Sequence, residues 1–248
     1  MAELAWLTAR PIAHRGLHDA AAGVIENMPA AFTAAIDGSF GIEVDLQISA
    51  DGEAMVHHDE ELGRLTEGSG WLAAMTAAQL KAVPFRATAD RMITLGELCD
   101  LVAGRVTLLL ELKSALRGDH RLASRVAAVL QGYGGPVAAM SFDPALVAAV
   151  HAADHRLVRG IVAEKSRHNA RSGRHWHDLT QLAGYFANLR RASPQFVAYS
   201  VRDLPAFWPT VTKRLFRLPL LTWTVRTAFD RERARLFADQ IIFEGFLP

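Results

Sequence analysis

Eight short runs of apolar or β-branched residues recur along this 248-residue chain, at 11–14, 40–46, 105–110, 136–141, 157–163, 195–199, 219–225 and 239–243. Between most of them lie Ala- and Leu-rich segments of helix length, at 28–37, 93–103, 119–131, 143–153, 177–188, 203–216 and 227–237. Strand-length apolar runs alternating with helical patterns predict βαβ units and a parallel sheet. Eight strands are the number that closes a (β/α)8 barrel. The alternative is an open, doubly wound sheet, which is disfavoured because no Gly-x-Gly-x-x-Gly follows the first run. No Pro/Gly/Ser-rich or highly charged linker divides the chain. The expected architecture is therefore a single α/β domain over residues 1–248, a (β/α)8 TIM barrel.

Two places break the rhythm. After the second run comes Ile48-Ser49-Ala50-Asp51-Gly52-Glu53-Ala54-Met55-Val56-His57-His58, and Asp-Gly between alternating runs signals a hairpin. If those two residues form the loop, Asp45 pairs with His58 on one face of the ribbon. The segment 59–92 that follows is too long for an ordinary βα loop and reads as a small insertion over the barrel mouth. The second break is at the end. Pro248 closely follows the eighth run, so the last helix is expected to be missing or replaced. The flank it would cover is then left to segment 1–9, to a partner chain in a homodimer, or to solvent.

Composition narrows the partners. A net charge of +1 leaves no basic excess to attract nucleic acid or an anionic membrane. No apolar run approaches membrane-spanning length. The opening residues lack a basic head followed by a long apolar stretch, so no signal peptide is read and the expected compartment is the cytoplasm. Cys99 is the single cysteine, which excludes an intramolecular disulfide. It shares a helical pattern with Leu95, Leu98 and Val102 and reads as a packing residue rather than a nucleophile.

The chemistry sits where the runs end. Glu43 and Asp45 are two apart on a strand, so they share a face, and at the C-terminal end of a barrel strand that face is the mouth. Glu111 closes the third run. Three carboxylates with no cysteine nearby make a hard oxygen site, suited to Mg2+ or Ca2+ over Zn2+. His14 closes the first run and His58 follows the hairpin; two imidazoles can divide the work of general acid and general base. His57 faces the other way and reads as structural. Arg15 offers a planar fork for phosphate oxygens, and Lys113 a second positive charge. The alternative for both is an ion pair with a ligand carboxylate. Gly16 permits a turn close to the phosphate, Asn27 reads as a helix N-cap before Pro29, and Glu26 is a candidate to orient Arg15. Such a set suits metal-assisted cleavage of a phosphodiester.

In order along the chain stand His14-Arg15-Gly16, Glu26-Asn27, Glu43-Val44-Asp45, Asp51-Gly52, His58-Asp59, Leu62-Gly63-Arg64-Leu65-Thr66 and Glu111-Leu112-Lys113. Ser141-Phe142-Asp143-Pro144 and Trp223-Thr224-Val225 follow. This ordered set resembles the glycerophosphodiester phosphodiesterases over nearly the whole chain. The resemblance implies a (β/α)8 barrel with an insertion after strand two. It implies a divalent metal held by Glu43, Asp45 and Glu111, acid/base roles for His14 and His58, and phosphate contact by Arg15 and Lys113. Phe142 and Trp223 would line the pocket. Met28 stands where the family usually has threonine. The last run reads Ile241-Ile242-Phe243-Glu244-Gly245 where the family often has Thr-Asp, so no residue is carried over at strand eight.

The expected reaction is hydrolysis of a small-molecule glycerophosphodiester to an alcohol and sn-glycerol 3-phosphate. One rival is a lysophospholipase D on the same scaffold, with Trp71, Leu72, Phe85, Phe243 and Phe246 lining an acyl channel. Another is a non-catalytic phosphate-ligand binding protein, which the complete set of histidines and carboxylates argues against. The loop from Glu164 to Asp178 carries Lys165, Arg167, His168, Arg171, Arg174, His175 and His177. It reads as a solvated loop rather than as a head-group or membrane contact. His175 and His177 lack the further ligands a zinc site needs.

Overall fold

The computed structural model describes residues 4–114, 118–165 and 192–248. In chain order the strands are β1 (Ile12–His14), β2 (Gly41–Ile48), β3 (Ala54–Val56), β4 (Glu61–Leu62), β5 (Gly70–Trp71), β6 (Leu108–Leu112), β7 (Val137–Ser141), β8 (Val158–Ala163), β9 (Phe196–Ser200), β10 (Leu220–Val225) and β11 (Gln240–Phe243). The helices are α1 (Ala5–Thr8), α2 (Pro29–Asp37), α3 (Ala77–Ala82), α4 (Leu95–Val102), α5 (Arg121–Leu130), α6 (Pro144–Ala153), α7 (Phe207–Leu215) and α8 (Ala228–Phe237). The helix expected at 177–188 lies outside the described residues. β1 pairs with both β2 and β11, and β2, β6, β7, β8, β9, β10 and β11 follow one another in parallel. The ring closes, and the expected (β/α)8 barrel is the fold.

The helices start where local chemistry supplies a cap. Thr94 and Glu97 form a capping box at α4, and Thr227 and Asp230 form one at α8. Asp143 caps α6, with Pro144 at its first position. Strand alternation sorts the core into two layers. Ile12, Leu109, Ala138, Met140, Val162, Phe196, Ala198, Leu221 and Ile242 fill the barrel interior. Ile42, Val44, Leu46, Leu108, Leu110 and Leu112 face outward to Phe32, Leu98 and Val126 on the surrounding helices. Cys99 belongs to that outer layer, where burial pushes its thiol up to about 11.

β2 is longer than its neighbours, and that length builds the mouth. Gly41–Glu43 pair with β1, whereas Leu46–Ile48 pair with the antiparallel β3 beyond the end of β1. The hairpin register differs from expectation. Leu46 faces Val56 and Ile48 faces Ala54, and Ser49 and Glu53 close the loop through Ser49 N to Glu53 O at 2.9 Å. The loop is therefore three residues, Ala50-Asp51-Gly52, with Gly52 at φ 86° as the left-handed bulge residue. That one extra residue places His57, not His58, opposite Asp45, with His57 N donating to Asp45 O at 3.0 Å.

The flank beside β11 also differs from expectation. Leu7 of α1 joins the interior cluster, so the N-terminal segment plugs the barrel floor instead of covering the side. Phe246 packs on Phe243 at 5.5 Å, Phe40 packs on Phe243 at 5.1 Å, and Arg231 lies over the Phe246 ring. The final turn thus packs against part of that flank. Segment 59–92 carries β4, β5 and α3 and has its own apolar cluster, in which Leu62, Leu72, Leu80, Phe85 and Met92 meet Ile25, Met28 and Met55. Leu72, Phe85 and Phe243 are consequently core residues and line no acyl channel; of that set Trp71 stands out, at 56% exposure. Among the described residues no helix is long and apolar enough to cross a membrane.

Candidate active site

Parallel register assembles the acidic cluster. His14 lies beside Glu43 across β1–β2, and Asp45 lies beside Glu111 across β2–β6. Three adjacent strands thus present one face of polar side chains at their C-terminal ends. Glu43, Asp45 and Glu111 each offer an oxygen, and these oxygens all lie within 4.8 Å of one another. All three are buried.

Two cations lie against the cluster. Lys113 Nζ is 2.7 Å from Asp45 Oδ1 and also pairs with Glu111. Arg15 Nε is 3.2 Å from Asp45 Oδ2, and its Nη1 donates to Glu26 Oε1 at 2.7 Å. Arg15 and Lys113 are therefore ion-paired with the cluster. An ammonium has three donors, so among the described residues Lys113 has one beyond its two carboxylates. The backbone of Arg15 turns at φ 57° and donates its N–H to Glu43 Oε2 at 3.1 Å. Gly16 continues the turn at φ 81°, where a Cβ would meet Ala31 of α2 at 2.9 Å. Helix packing is thus what requires the glycine.

The charges divide unequally. Burial raises Asp45, but Lys113 and Arg15 outweigh it and hold that carboxyl well below the usual range. Glu43 goes the other way: burial and the neighbouring Asp45 and Glu111 raise it well above the usual value. Its Oε1 is buried with no hydrogen-bond partner among the described residues. Burial likewise raises Glu111, against the pull of Lys113. A crowded carboxylate set with an orphaned oxygen fits a divalent cation, which would satisfy that oxygen and relieve the mutual repulsion.

His14 and His58 each have a carboxylate at Nδ1, and each of those carboxylates has an arginine. His58 Nδ1 is 2.7 Å from Asp59 Oδ1, and Arg64 Nε donates to Asp59 Oδ2 at 2.6 Å. Arg64 also donates to Glu26. His14 Nδ1 is 2.6 Å from Glu244 Oε2, and Arg226 donates to both Glu244 oxygens, at 3.1 and 2.8 Å. Burial lowers His14 despite Glu244. His57 is 2% exposed, packs edge-on against Phe85 at 6.1 Å, and is pushed down to about 4 by burial.

A pocket of about 380 Å³ opens over this face, lined by His58, Asp59, Glu60, Glu111, Lys113, Ser114, Ser141, Phe142 and Asp143. Phe142 is 46% exposed and meets Trp223 edge-to-face at 5.5 Å. Ser141 Oγ donates to Leu112 O at 2.7 Å and accepts from Asp143 N at 3.1 Å, which fixes the turn bearing Phe142. The basic loop lies outside the described residues from 166 onward.

Three residues escaped sequence reasoning as members of the site. Asn27 is not the helix cap: Met28 holds that position without a side-chain bond, whereas Asn27, at φ 58°, donates to Asp45 Oδ2 at 2.8 Å. Its place in the ordered motif set was the available signal. Gln47, third on the Glu43–Asp45 face, donates to His58 O at 2.9 Å; the two-residue spacing pointed to it. Glu244, which no local pattern marked, reaches His14 across 230 positions.

The family model for "Glycerophosphoryl diester phosphodiesterase family" matches residues 14–242. A glycerophosphodiester phosphodiesterase of Caldanaerobacter subterraneus is 35% identical over 113 residues, covering 42% of this chain and 45% of that protein. The chain thus spans about half the length of this curated relative. A solved structure of an Oleispira antarctica phosphodiesterase, in complex with the product sn-glycerol-3-phosphate, superposes with a TM-score of 0.76 at 19% identity, covering 96% of this chain and 94% of that one. A Thermotoga maritima glycerophosphodiester phosphodiesterase gives 0.71 at 20% identity, covering 94% and 92%. These two structures share the fold.

Proposed function

The chain belongs to the glycerophosphoryl diester phosphodiesterase family, and from that membership we propose that it hydrolyses glycerophosphodiesters to an alcohol and sn-glycerol 3-phosphate. The observation that carries this reading is the pairing of a three-carboxylate cluster with two carboxylate-anchored histidines at one barrel mouth. Glu43, Asp45 and Glu111 would hold a divalent ion, Mg2+ or Ca2+. Bound there, it would supply positive charge for the phosphoryl oxygens and the nucleophile.

The remaining steps fall to side chains of the chain. His14 and His58 each have Nδ1 engaged by a carboxylate, which leaves Nε2 to take or give a proton. One serves the attacking oxygen and the other the departing alkoxide. Lys113, with its third donor, and the Arg15 guanidinium would stabilise charge on the equatorial oxygens. Phe142 and Trp223 would pack against the organic part of the substrate.

The test is release of sn-glycerol 3-phosphate from glycerophosphocholine and glycerophosphoethanolamine with Mg2+, with Ca2+ and with EDTA. Metal-dependent release is expected. A clear preference for lysophosphatidylcholine would replace this reading with the lysophospholipase D one. Binding without turnover under every metal would leave a binding protein.

A further inference from the structure

Glu244 does no work in the reaction just described, yet it is the nearest carboxylate to His14. The barrel closure brings them together. β1 and β11 pair in register at Ala13 and Phe243, so the next residues, His14 and Glu244, leave adjacent strand ends side by side. Glu244 N donates to Val225 O at 3.0 Å, which fixes its backbone, and Arg226, just past the end of β10, grips both carboxylate oxygens.

An ionised carboxylate accepts and does not donate, so the proton of the 2.6 Å contact sits on Nδ1. A neutral imidazole carries one N–H, so Nε2 is left with its lone pair, 3.9 Å from Glu43 Oε2. The same arrangement recurs at His58, where Asp59 takes Nδ1 and Arg64 holds Asp59. There the carboxylate is the next residue in sequence; at His14 it comes from the opposite end of the chain. Two unrelated chain paths converge on one device, which a chance tie between strands does not account for.

We propose that Glu244 is the positioning residue of His14, fixing its tautomer and turning Nε2 toward the carboxylate cluster, with Arg226 holding Glu244 in place. The role rests on the phosphodiesterase reading for its consequence but not for its geometry. A His–carboxylate contact of this kind selects one tautomer and one ring orientation, and its loss admits the unproductive tautomer.

The test joins kinetics to a spectroscopic readout on the metal-loaded enzyme. Glu244→Ala is expected to lower kcat about 10-fold or more while KM for glycerophosphocholine stays within about 3-fold. In a His14→Ala background the same substitution is expected to add nothing, because there is no ring left to position. Long-range 1H–15N correlation of His14 in the wild-type protein near neutral pH is expected to show Nδ1 protonated and Nε2 bare, and Glu244→Ala to mix the tautomers. An equal loss in the His14→Ala background, or a wild-type ring protonated at Nε2, overturns the proposal. If the wild type releases no glycerol 3-phosphate, the functional reading fails, and the tautomer spectrum still decides the positioning role. Should Glu244→Ala not fold, Arg226→Met carries the same comparison, with a smaller expected loss.

Discussion

Asn27 and Asp45 hold one another through two hydrogen bonds: Asn27 Nδ2 donates to Asp45 Oδ2 at 2.8 Å, and Asp45 N donates to Asn27 Oδ1 at 3.3 Å. Both residues are 1% exposed. The pair ties the β1–α2 loop to the inner face of β2, and it aims Asp45 while Lys113 and Arg15 keep it ionised.

Removing that brace should be felt twice. Asn27→Ala removes two hydrogen bonds from buried Asp45, whose Oδ2 then keeps its contact with Arg15 Nε, at a cost of about 1–3 kcal/mol. It should also weaken divalent-metal dependence roughly 10- to 100-fold, as the loss of a partner to a ligand does. Denaturant melts and a metal titration of activity check the two effects. An unchanged metal requirement would make Asn27 purely structural.

Glu43→Gln should separate folding from metal binding. The carboxyl is already raised by burial and by two neighbouring acids, so neutralising it relieves repulsion. The metal-free variant is expected to melt no lower than the metal-free wild type. The wild type should gain thermal stability with Mg2+ or Ca2+ and lose it in EDTA, whereas the variant should respond to neither and be inactive. A variant that keeps both activity and the metal-dependent shift would remove Glu43 from the ligand set.

His57 predicts an acid limb in stability. Its folded value, about 4, lies below the ordinary 6.5, because burial disfavours the charged ring. The unfolded chain therefore binds a proton before the folded chain does as pH falls through 6.5. Stability is fully present above 6.5 and is lost progressively toward 4, by on the order of 3 kcal/mol from this group. His57→Gln should flatten that part of the stability–pH curve. An unaltered slope would place the acid sensitivity elsewhere.

Two glycines with positive φ should differ in cost. At Gly52 a Cβ meets nothing within 4 Å, so Gly52→Ala faces backbone strain only, about 1 kcal/mol. At Gly16 the same strain adds to a clash with Ala31 on helix α2. Gly16→Ala should be the more destabilising in paired melts, and it should depress activity by shifting Arg15. Equal melting temperatures would show that α2 yields.

Much of the fold was legible because its signals are local. The apolar run 105–110 reads as a strand and the pattern over 93–103 as a helix, and the structure has a strand at Leu108–Leu112 and a helix at Leu95–Val102. Strand ends marked Glu43, Asp45 and Glu111 because side-chain alternation needs no knowledge of neighbours. The hairpin shows where local reading stops. Asp51-Gly52 signals a turn equally well in a two- or a three-residue loop, and one residue of loop shifts the whole register.

What the sequence determined by itself was therefore the number of barrel strands, the helices that alternate with them among the described residues, and the polar residues that end the strands, since each is set by periodicity within a few residues. What tertiary structure decided was who meets whom: His57 opposite Asp45, Leu7 in the barrel floor, Phe246 on the open flank, Asn27 on Asp45, and Glu244 on His14. His58 and Asp59 form their pair as neighbours in the chain, whereas His14 and Glu244 form theirs because eight twisted strands close into a ring. Closure is a property of the whole sheet, and no local stretch of sequence encodes it.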